Sequence, residues 1–207
     1  YEALKKAVKD NLSGRLQSVK NELSFALDRE MDASKLVDLA AEDKIPMRVT
    51  HNDTKINNVL FDSITNEAIC VIDLDTIMPG LSLYDFGDSI RSGAVTSDEN
   101  EQDLDKYGLD IALFKSYTEG FLSEAGHALN DEEIANLAFS AKLMTLECGV
   151  RFLTDYLNGD TYFKTDYPEH NLVRCRTQFK LVEDIEKHLD EMNACVDEIY
   201  RRSLIEG

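Results

Sequence analysis

The chain has 207 residues, of which 43% are hydrophobic and 30% charged, and its formal net charge at pH 7 is −18. This composition excludes a disordered chain and is enough to build one sizeable core. A surface this acidic repels nucleic acid and anionic membranes, so we expect neither as a partner.

The spacing of the cysteines indicates the cellular location of the protein. The four cysteines are Cys70, Cys148, Cys175 and Cys195. They lack the paired spacing of a zinc site and the density of a disulfide framework. We therefore expect reduced core thiols in a cytoplasmic protein.

No apolar stretch approaches a membrane span, and the first residues lack a signal-peptide pattern. A chain that begins at Tyr1 rather than Met is typical of a processed protein or an excised piece.

Residues 1–45 are predicted to form a helical preface. Apolar residues recur at helical spacing, and the predicted helices cover residues 2–9, 15–30 and 33–42. The first is broken near Gly14, and Asp32 is the expected N-cap of the third. Pro46 ends the preface.

Residues 46–95 change to the pattern of short strands. Apolar or β-branched runs cover residues 47–50, 59–61 and 68–72. The last two flank a polar segment, residues 62–67, which predicts a hairpin loop. The irregular segment 78–80 contains Pro79 and Gly80 and is predicted not to continue a strand.

Helices are predicted for the rest of the chain. Ser82 and Asp85 form the pattern of a capping box, which opens a helix to about Ala94. Three further helices follow. The first covers residues 109–124, with Gly126 just beyond its end. The second is a long helix that is capped by Asn130 with Glu133 and ends at Gly159, and the third begins at Pro168. The fold class is therefore α+β and mostly α-helical, with a helical subdomain over residues 96–207.

The polar loop after the first strand carries the candidate chemistry. An apolar run leads into a His-x-Asp sequence that ends on Asp53, Asn58 follows five positions later, and a second apolar run ends on Asp73. Phosphoryl transfer needs one carboxylate to orient the attacking hydroxyl, and an amide and a further carboxylate to hold magnesium. The protein-kinase template has these groups in the same order. The pattern predicts Asp53 as the base, with Asn58 and Asp73 as ligands of Mg²⁺.

Four further residues are expected to support this site. His51 is predicted to brace the loop through hydrogen bonds, and Lys55 either steadies the transferred phosphoryl group or is a solvated lysine. Asp75 ranks below Asp73 as a further ligand or an acceptor outside the ligand shell. Asp85 is either part of the capping box or an acceptor that ties the catalytic loop in place.

Simpler interpretations of the same residues remain open. Asp53 also suits an ordinary polar turn, and Asp73 a strand end that caps a turn. Asp73 and Asp75 also resemble the Asp-x-Asp motif of haloacid-dehalogenase-type phosphatases. That motif has Thr or Val where this chain has Ile77, and no further strands follow here for the required sheet, so we reject it.

Four segments together resemble the aminoglycoside phosphotransferase/choline kinase superfamily, and within it N-acetylhexosamine 1-kinases most closely: His51–Phe61, Val71–Thr76, Met78–Asp88 and Gly149–Leu157. The resemblance implies a protein-kinase-like fold with ATP as co-substrate and Mg²⁺ as cofactor. It implies phosphorylation of the anomeric hydroxyl of an amino sugar, GlcNAc or GalNAc, in amino-sugar salvage. It assigns Asp53, Asn58 and Asp73 the roles given above and makes Arg151 and Tyr162 sugar contacts.

Arg151 and Tyr162 also have structural alternatives. Arg151 lies one helical turn from both Glu147 and Asp155 and is able to pair with either. Tyr162 suits a loop aromatic that packs on a helix end.

The front of the chain departs from the family pattern. Nothing before Pro46 resembles the glycine-rich strand-turn-strand or the phosphate-binding lysine of an N-terminal ATP-binding lobe. We expect residues 1–207 to be a single C-terminal kinase-like lobe whose N-terminal lobe is absent from this chain. Such a lobe is expected to be weak or inactive alone, because positioning of ATP supplies most of the catalysis. The alternatives are another small-molecule kinase, for choline or a different sugar, and a non-catalytic binding or regulatory module.

Overall fold

The computed structural model describes residues 1–206, which contain eight α-helices and four short strands joined by loops and 3₁₀ turns. The helices are α1 (Glu2–Asp10), α2 (Lys20–Leu27), α3 (Lys35–Ala41), α4 (Ser82–Gly93), α5 (Ile111–Ala125), α6 (Asp131–Ala135), α7 (Leu137–Asn158) and α8 (His170–Glu206). The strands are β1 (Arg48–Thr50), β2 (Val59–Phe61), β3 (Ala68–Val71) and β4 (Met78–Gly80). The predicted class, mostly helical α+β, is confirmed.

The strands form two separate antiparallel pairs. β2 and β3 make the predicted hairpin, whose loop is closed by the Asp62 carboxylate, which accepts the amides of Ile64 at 2.8 Å and Thr65 at 2.9 Å. β1 pairs with β4, so residues 78–80, which were predicted to be irregular, form a short strand. Pro79 stands opposite Val49 on an edge strand, where its missing amide hydrogen is tolerated.

The predicted helix over 15–30 is wrong in extent. The chain first makes a 3₁₀ turn at Leu16–Ser18, and α2 begins only at Lys20. Val19 lies between them with φ −125° and ψ 28°, outside the helical region, which interrupts the helical hydrogen-bond pattern.

Asp32 does not cap the third helix. It lies in a 3₁₀ turn at Glu30–Ser34, and its carboxylate pairs with the ammonium of Lys142 on α7 at 2.7 Å. Helix α3 then begins at Lys35 without a side-chain cap. The carboxylate expected at a helix start is used in a contact between distant elements.

The capping box at Ser82 is also wrong, although the helix is present and ends next to Ala94 as predicted. Ser82 is the first residue of α4, and its hydroxyl donates to Glu133 at 2.7 Å. Asp85 accepts backbone amides of another loop, described below. Both side chains serve tertiary contacts.

The capping box of Asn130 and Glu133 is confirmed, but the helix that it opens is short. Asn136 separates α6 from α7, and its side-chain amide donates to the carbonyl of Glu132 at 2.8 Å, in competition with the helical backbone. The last helix begins at His170 rather than at Pro168, because Glu169 has φ 71°.

Helix α7 is the centre of the fold. It packs along α8 and α4, and two buried clusters meet along it. One cluster joins α7 to α4, α5 and the part of α8 from Leu181 onward, and the other joins it to α1, α2 and the part of α8 up to Val182. Cys175 belongs to the second cluster, whereas Cys70 is exposed on β3, so the expectation of a core thiol is wrong for Cys70. Within residues 1–206, every helix is too short or too polar to cross a membrane.

Candidate active site

Asp53 lies on the loop between β1 and a 3₁₀ turn at Ile56–Asn58. Its carboxylate oxygen Oδ2 accepts hydrogen bonds from Lys55 Nζ at 2.7 Å and from Asn58 Nδ2 at 2.8 Å. Asn58 Nδ2 also donates to the Asp53 carbonyl at 2.8 Å. The structure thus brings the predicted base, the predicted lysine and one predicted metal ligand into direct contact.

These contacts set the charge of Asp53. Partial burial raises the pKa of Asp53, but the hydrogen bonds from Lys55 and Asn58 outweigh it, so that the pKa lies below its ordinary value. An ionised carboxylate accepts a hydrogen bond strongly, while its low proton affinity makes it a weak base. The side chain therefore suits orientation of a hydroxyl more than complete removal of its proton.

Asp85, at the first turn of α4, holds the front of this loop. Its two oxygens accept the backbone amides of His51 and Asn52, each at 2.7 Å. Its carbonyl accepts the Thr54 hydroxyl at 2.6 Å. Asn52 has φ 63°, a left-handed conformation that Asn tolerates well. Asp85 thus anchors the loop that carries Asp53, rather than capping its own helix.

His51 connects the loop to the strand region that leads to Asp73. Its Nε2 donates to the carbonyl of Ile72 at 3.0 Å. The other ring nitrogen, Nδ1, is buried without a hydrogen-bond partner among the described residues. The ring therefore joins two backbone segments.

Asp73 lies two positions after the end of β3. The amide of Ile72 donates to the carbonyl of Asn58 at 2.9 Å, which extends the hairpin and places Asp73 near the Asp53 loop. Asp73 has φ 63°, and the chain then turns into a 3₁₀ segment, Leu74–Thr76, instead of continuing as a strand. Asp75 nevertheless remains close to Asp73. Its carboxyl group interacts with that of Asp73, and this interaction is the largest cause of the raised pKa of Asp73.

The donors here fit a hard divalent cation. Since Asn58 uses Nδ2 to bind Asp53, its Oδ1 is the atom left to coordinate a metal. The mutual repulsion of Asp73, Asp75 and Asp53 is the kind that a cation relieves. No cluster of three or more His, Cys, Asp or Glu side chains with metal-binding geometry occurs within residues 1–206. Mg²⁺ suits a site with few protein ligands, because it usually keeps several waters and binds substrate phosphates.

An ion pair with a buried carboxylate fixes the strand before the loop. Glu133 is 1% exposed and binds Arg48 of β1 through two contacts of 2.7 Å, Nε to Oε1 and Nη2 to Oε2. It also accepts the Ser82 hydroxyl at 2.7 Å and the Asn130 amide at 2.9 Å. Burial raises the pKa of Glu133, but these hydrogen bonds outweigh it and leave the pKa below its ordinary value. Sequence reasoning assigned Glu133 only to a helix cap and missed Arg48 entirely.

Arg151 and Tyr162 lie apart from the Asp53 loop, beside two neighbouring cavities. Both line a cavity of about 390 Å³, and Arg151 also lines one of about 440 Å³ that includes Tyr84 of α4. Arg151 pairs with Glu147 at 3.7 Å, whereas the oxygens of the buried Asp155 bind backbone amides elsewhere. The guanidinium carbon is 5.8 Å from the centre of the Tyr162 ring.

The hairpin exposes apolar side chains on both faces. Leu60 and Phe61 of β2 are nearly half exposed, and Ile69 and Val71 of β3 are more than half exposed. The described part of the chain places no helix over them. Strands with this composition are normally covered, so this surface is suited to contact with another molecule or segment.

A loop that joins a carboxylate, a lysine and an amide, followed along the chain by a second carboxylate, has the residue order of a kinase site. Comparison with known families agrees. The family described as "Phosphotransferase enzyme family" (APH) matches residues 5–116, which is more than half of the chain. The chain belongs to this family of small-molecule phosphotransferases. The matched segment contains the Asp53 loop, Asp73 and Asp85, and Arg151 and Tyr162 lie beyond it.

Proposed function

We propose that this chain is the catalytic and acceptor-binding part of an ATP-dependent kinase that phosphorylates an N-acetylhexosamine, GlcNAc or GalNAc, at its anomeric hydroxyl. The observation that carries the proposal is the direct contact of Asp53 with both Lys55 and Asn58, at 2.7 and 2.8 Å. An ordinary polar turn has no need of this arrangement.

Asp53 is the residue that receives the acceptor hydroxyl. Its ionised carboxylate has one oxygen, Oδ2, held by Lys55 and Asn58, which leaves Oδ1 to accept the hydroxyl proton as a hydrogen bond. That contact aligns the hydroxyl oxygen for attack on phosphorus. Asp85 and His51 keep the loop in place, because they fix its backbone and not its substrate-facing atoms.

Asn58 Oδ1 and Asp73 are the residues that would hold Mg²⁺, with Asp75 as a further ligand or an acceptor outside the ligand shell. The ion, when bound, neutralises charge on the ATP phosphates. Lys55 adds a fixed positive charge next to Asp53, where it steadies the phosphoryl group.

The cavities beside Arg151 support a sugar as the acceptor. Their walls combine an exposed aromatic ring, Tyr162, with charged side chains, Arg151 and Glu147, that are able to bind hydroxyl and amide groups. An aromatic face with hydrogen-bonding groups suits a sugar ring, which has apolar C–H faces and a polar edge. A cation such as choline would have to lie beside the guanidinium of Arg151, which disfavours it.

The exposed apolar side chains of the hairpin support a site to which another part of the protein also contributes. Leu60, Val71 and Ile72 are exposed and lie close in sequence to Asn58 and Asp73, and we propose that they offer apolar surface to the adenine of ATP and to an ATP-binding lobe. We propose that this lobe supplies contacts to the ATP phosphates and that residues 1–207 alone turn over weakly or not at all. The free cysteines support a cytoplasmic location for this enzyme.

The test is an acceptor panel with ATP and Mg²⁺ on the full-length protein. The panel contains GlcNAc, GalNAc, their parent hexoses, choline and an aminoglycoside. We expect turnover with the N-acetylhexosamines and a product whose phosphorus couples to the anomeric proton in NMR spectra. Preferential turnover of choline or an aminoglycoside would replace the substrate assignment, and absence of turnover with every acceptor would favour the binding-module alternative.

A further inference from the structure

A buried carboxylate holds the chain segment that carries Tyr162. Asp155 of α7 is 4% exposed, and its oxygens accept the backbone amides of three successive residues. Oδ1 accepts the amides of Thr161 and Tyr162 at 2.9 Å each, and Oδ2 accepts the amide of Phe163 at 3.0 Å. Charge-assisted hydrogen bonds to consecutive amides allow this segment very few backbone conformations.

Two further side chains fix the approach to the segment. Asn171 of α8 donates through Nδ2 to Asp155 at 2.8 Å and to Asp160 at 2.9 Å. Arg15 binds the other oxygen of Asp160 at 2.5 Å and the carbonyl of Tyr156 at 2.9 Å. The turn after α7 is thus joined to α8 and to the front of the chain.

The Tyr162 ring is 73% exposed although its backbone is fixed. The ring meets Phe163 edge to face with centroids 4.8 Å apart, and Phe163 packs on Phe152 of α7 at 4.7 Å. Tyr162 shares the wall of the 390 Å³ cavity with Arg151, one helical turn before Asp155. An exposed ring on an immobilised backbone loses little conformational freedom when a ligand covers it.

We infer that Asp155 is a positioning residue for the acceptor, which it serves by holding Tyr162 over the cavity beside Arg151. The inference rests on the proposed function, because it concerns the acceptor part of that site. Asp155 also lines this cavity, but its oxygens already accept the backbone amides and the Asn171 side chain, so we assign its effect to the backbone of Tyr162 and not to contact with the acceptor. A buried charge is costly unless it is fully hydrogen-bonded, and here its hydrogen bonds go largely to the loop that forms the cavity wall.

The experiment is a double-mutant cycle in the full-length protein with Asp155→Asn, Tyr162→Ala and both together. Each single variant is expected to raise the acceptor KM roughly tenfold, with kcat and the KM for ATP changed by less than about twofold. The double variant is expected to be no worse than the poorer single variant, because both changes remove one interaction. Asp110→Asn is the matched control: Asp110 accepts two backbone amides at the start of α5 but lines neither cavity.

A second measurement tests whether Asp155 holds the backbone of residues 161–163, and it does not depend on enzyme activity. Hydrogen exchange at residues 161–163 is expected to accelerate in Asp155→Asn, while exchange in the middle of α7 and α8 stays unchanged. Should Asp155→Asn fail to fold, Asn171→Ser removes the supporting amide but keeps the carboxylate, and it is expected to raise the acceptor KM in the same direction.

The outcomes separate this inference from the proposed function. An unchanged acceptor KM in Asp155→Asn, or additive losses in the double variant, overturns the positioning role while wild-type turnover stands. If the wild-type protein turns over no N-acetylhexosamine, the proposed function fails and this inference fails with it.

Discussion

The side-chain amide of Asn58 donates to the carboxylate of Asp53, with 2.8 Å between Nδ2 and Oδ2. The proposed metal ligand and the proposed base are therefore parts of one hydrogen-bonded unit. A second bond, from the same amide to the Asp53 carbonyl, fixes the orientation of the Asn58 side chain. A change at either residue is expected to disturb the other.

Replacement of Asn58 tests this coupling. Asn58→Ala removes two hydrogen bonds to Asp53 and the oxygen that we propose as a metal ligand, so we expect kcat to fall by roughly a hundredfold or more. The variant should also need a higher Mg²⁺ concentration for half-maximal rate. Asn57→Ala, at the exposed neighbouring position, is the control and should keep both values. An unchanged Mg²⁺ requirement in Asn58→Ala would argue against a metal-ligand role.

Asp85 is expected to act on catalysis through the loop backbone. Asp85→Asn replaces one of two charged acceptors for the amides of His51 and Asn52, and we expect kcat to fall roughly ten- to a hundredfold while the protein stays folded. The matched control is Asp62→Asn, which weakens a similar pair of bonds in the hairpin loop. Comparable losses in both variants would show that Asp85 has no special link to the site.

Glu133 is expected to matter for stability more than for chemistry. Glu133→Gln leaves the partly buried Arg48 without its ionic partner, and the free energy of unfolding should fall by about 2–4 kcal/mol. Denaturant unfolding of the wild-type chain and the variant measures this difference in the free energy of unfolding. Asp131→Asn, on the exposed side of the same helix, should change stability by less than about 0.5 kcal/mol. An equal loss in both variants would contradict the anchoring role of Glu133.

The same pair predicts a pH dependence. Because the folded-state pKa of Glu133 is depressed, its contribution to stability is fully present above the unfolded-state pKa of about 4.3 and is lost as pH falls through the lower folded-state value. The stability difference between wild type and Glu133→Gln should therefore be constant above about pH 5 and shrink in acid. A difference that grows as pH falls would contradict the direction of the shift.

The order of most elements and the contact of Asp53 with Lys55 and Asn58 were predictable because both depend on local sequence. Apolar spacing indicates the helices and strands, and the His-x-Asp sequence with Asn58 and Asp73 indicates the candidate site. Capping patterns were less reliable. Ser82 and Asp85 have the right types and spacing for a box, but tertiary partners compete for the same side chains and win.

Local sequence patterns do not predict contacts between residues that are distant in the chain. Arg48 and Glu133 are 85 positions apart, and nothing local to either residue indicates that they pair. The strand at residues 78–80 was missed for a related reason: Pro79 disfavours a strand locally, yet an edge position tolerates it.

The most direct test of the account is Asp53→Asn in the full-length protein, with GlcNAc or GalNAc, ATP and Mg²⁺. The amide keeps the shape of the side chain but removes the charge that orients the hydroxyl. We expect kcat to fall by roughly a hundred- to ten-thousandfold with an unchanged circular dichroism spectrum and a similar KM for ATP. A folded Asp53→Asn protein that phosphorylates the sugar at the wild-type rate would contradict the central claim.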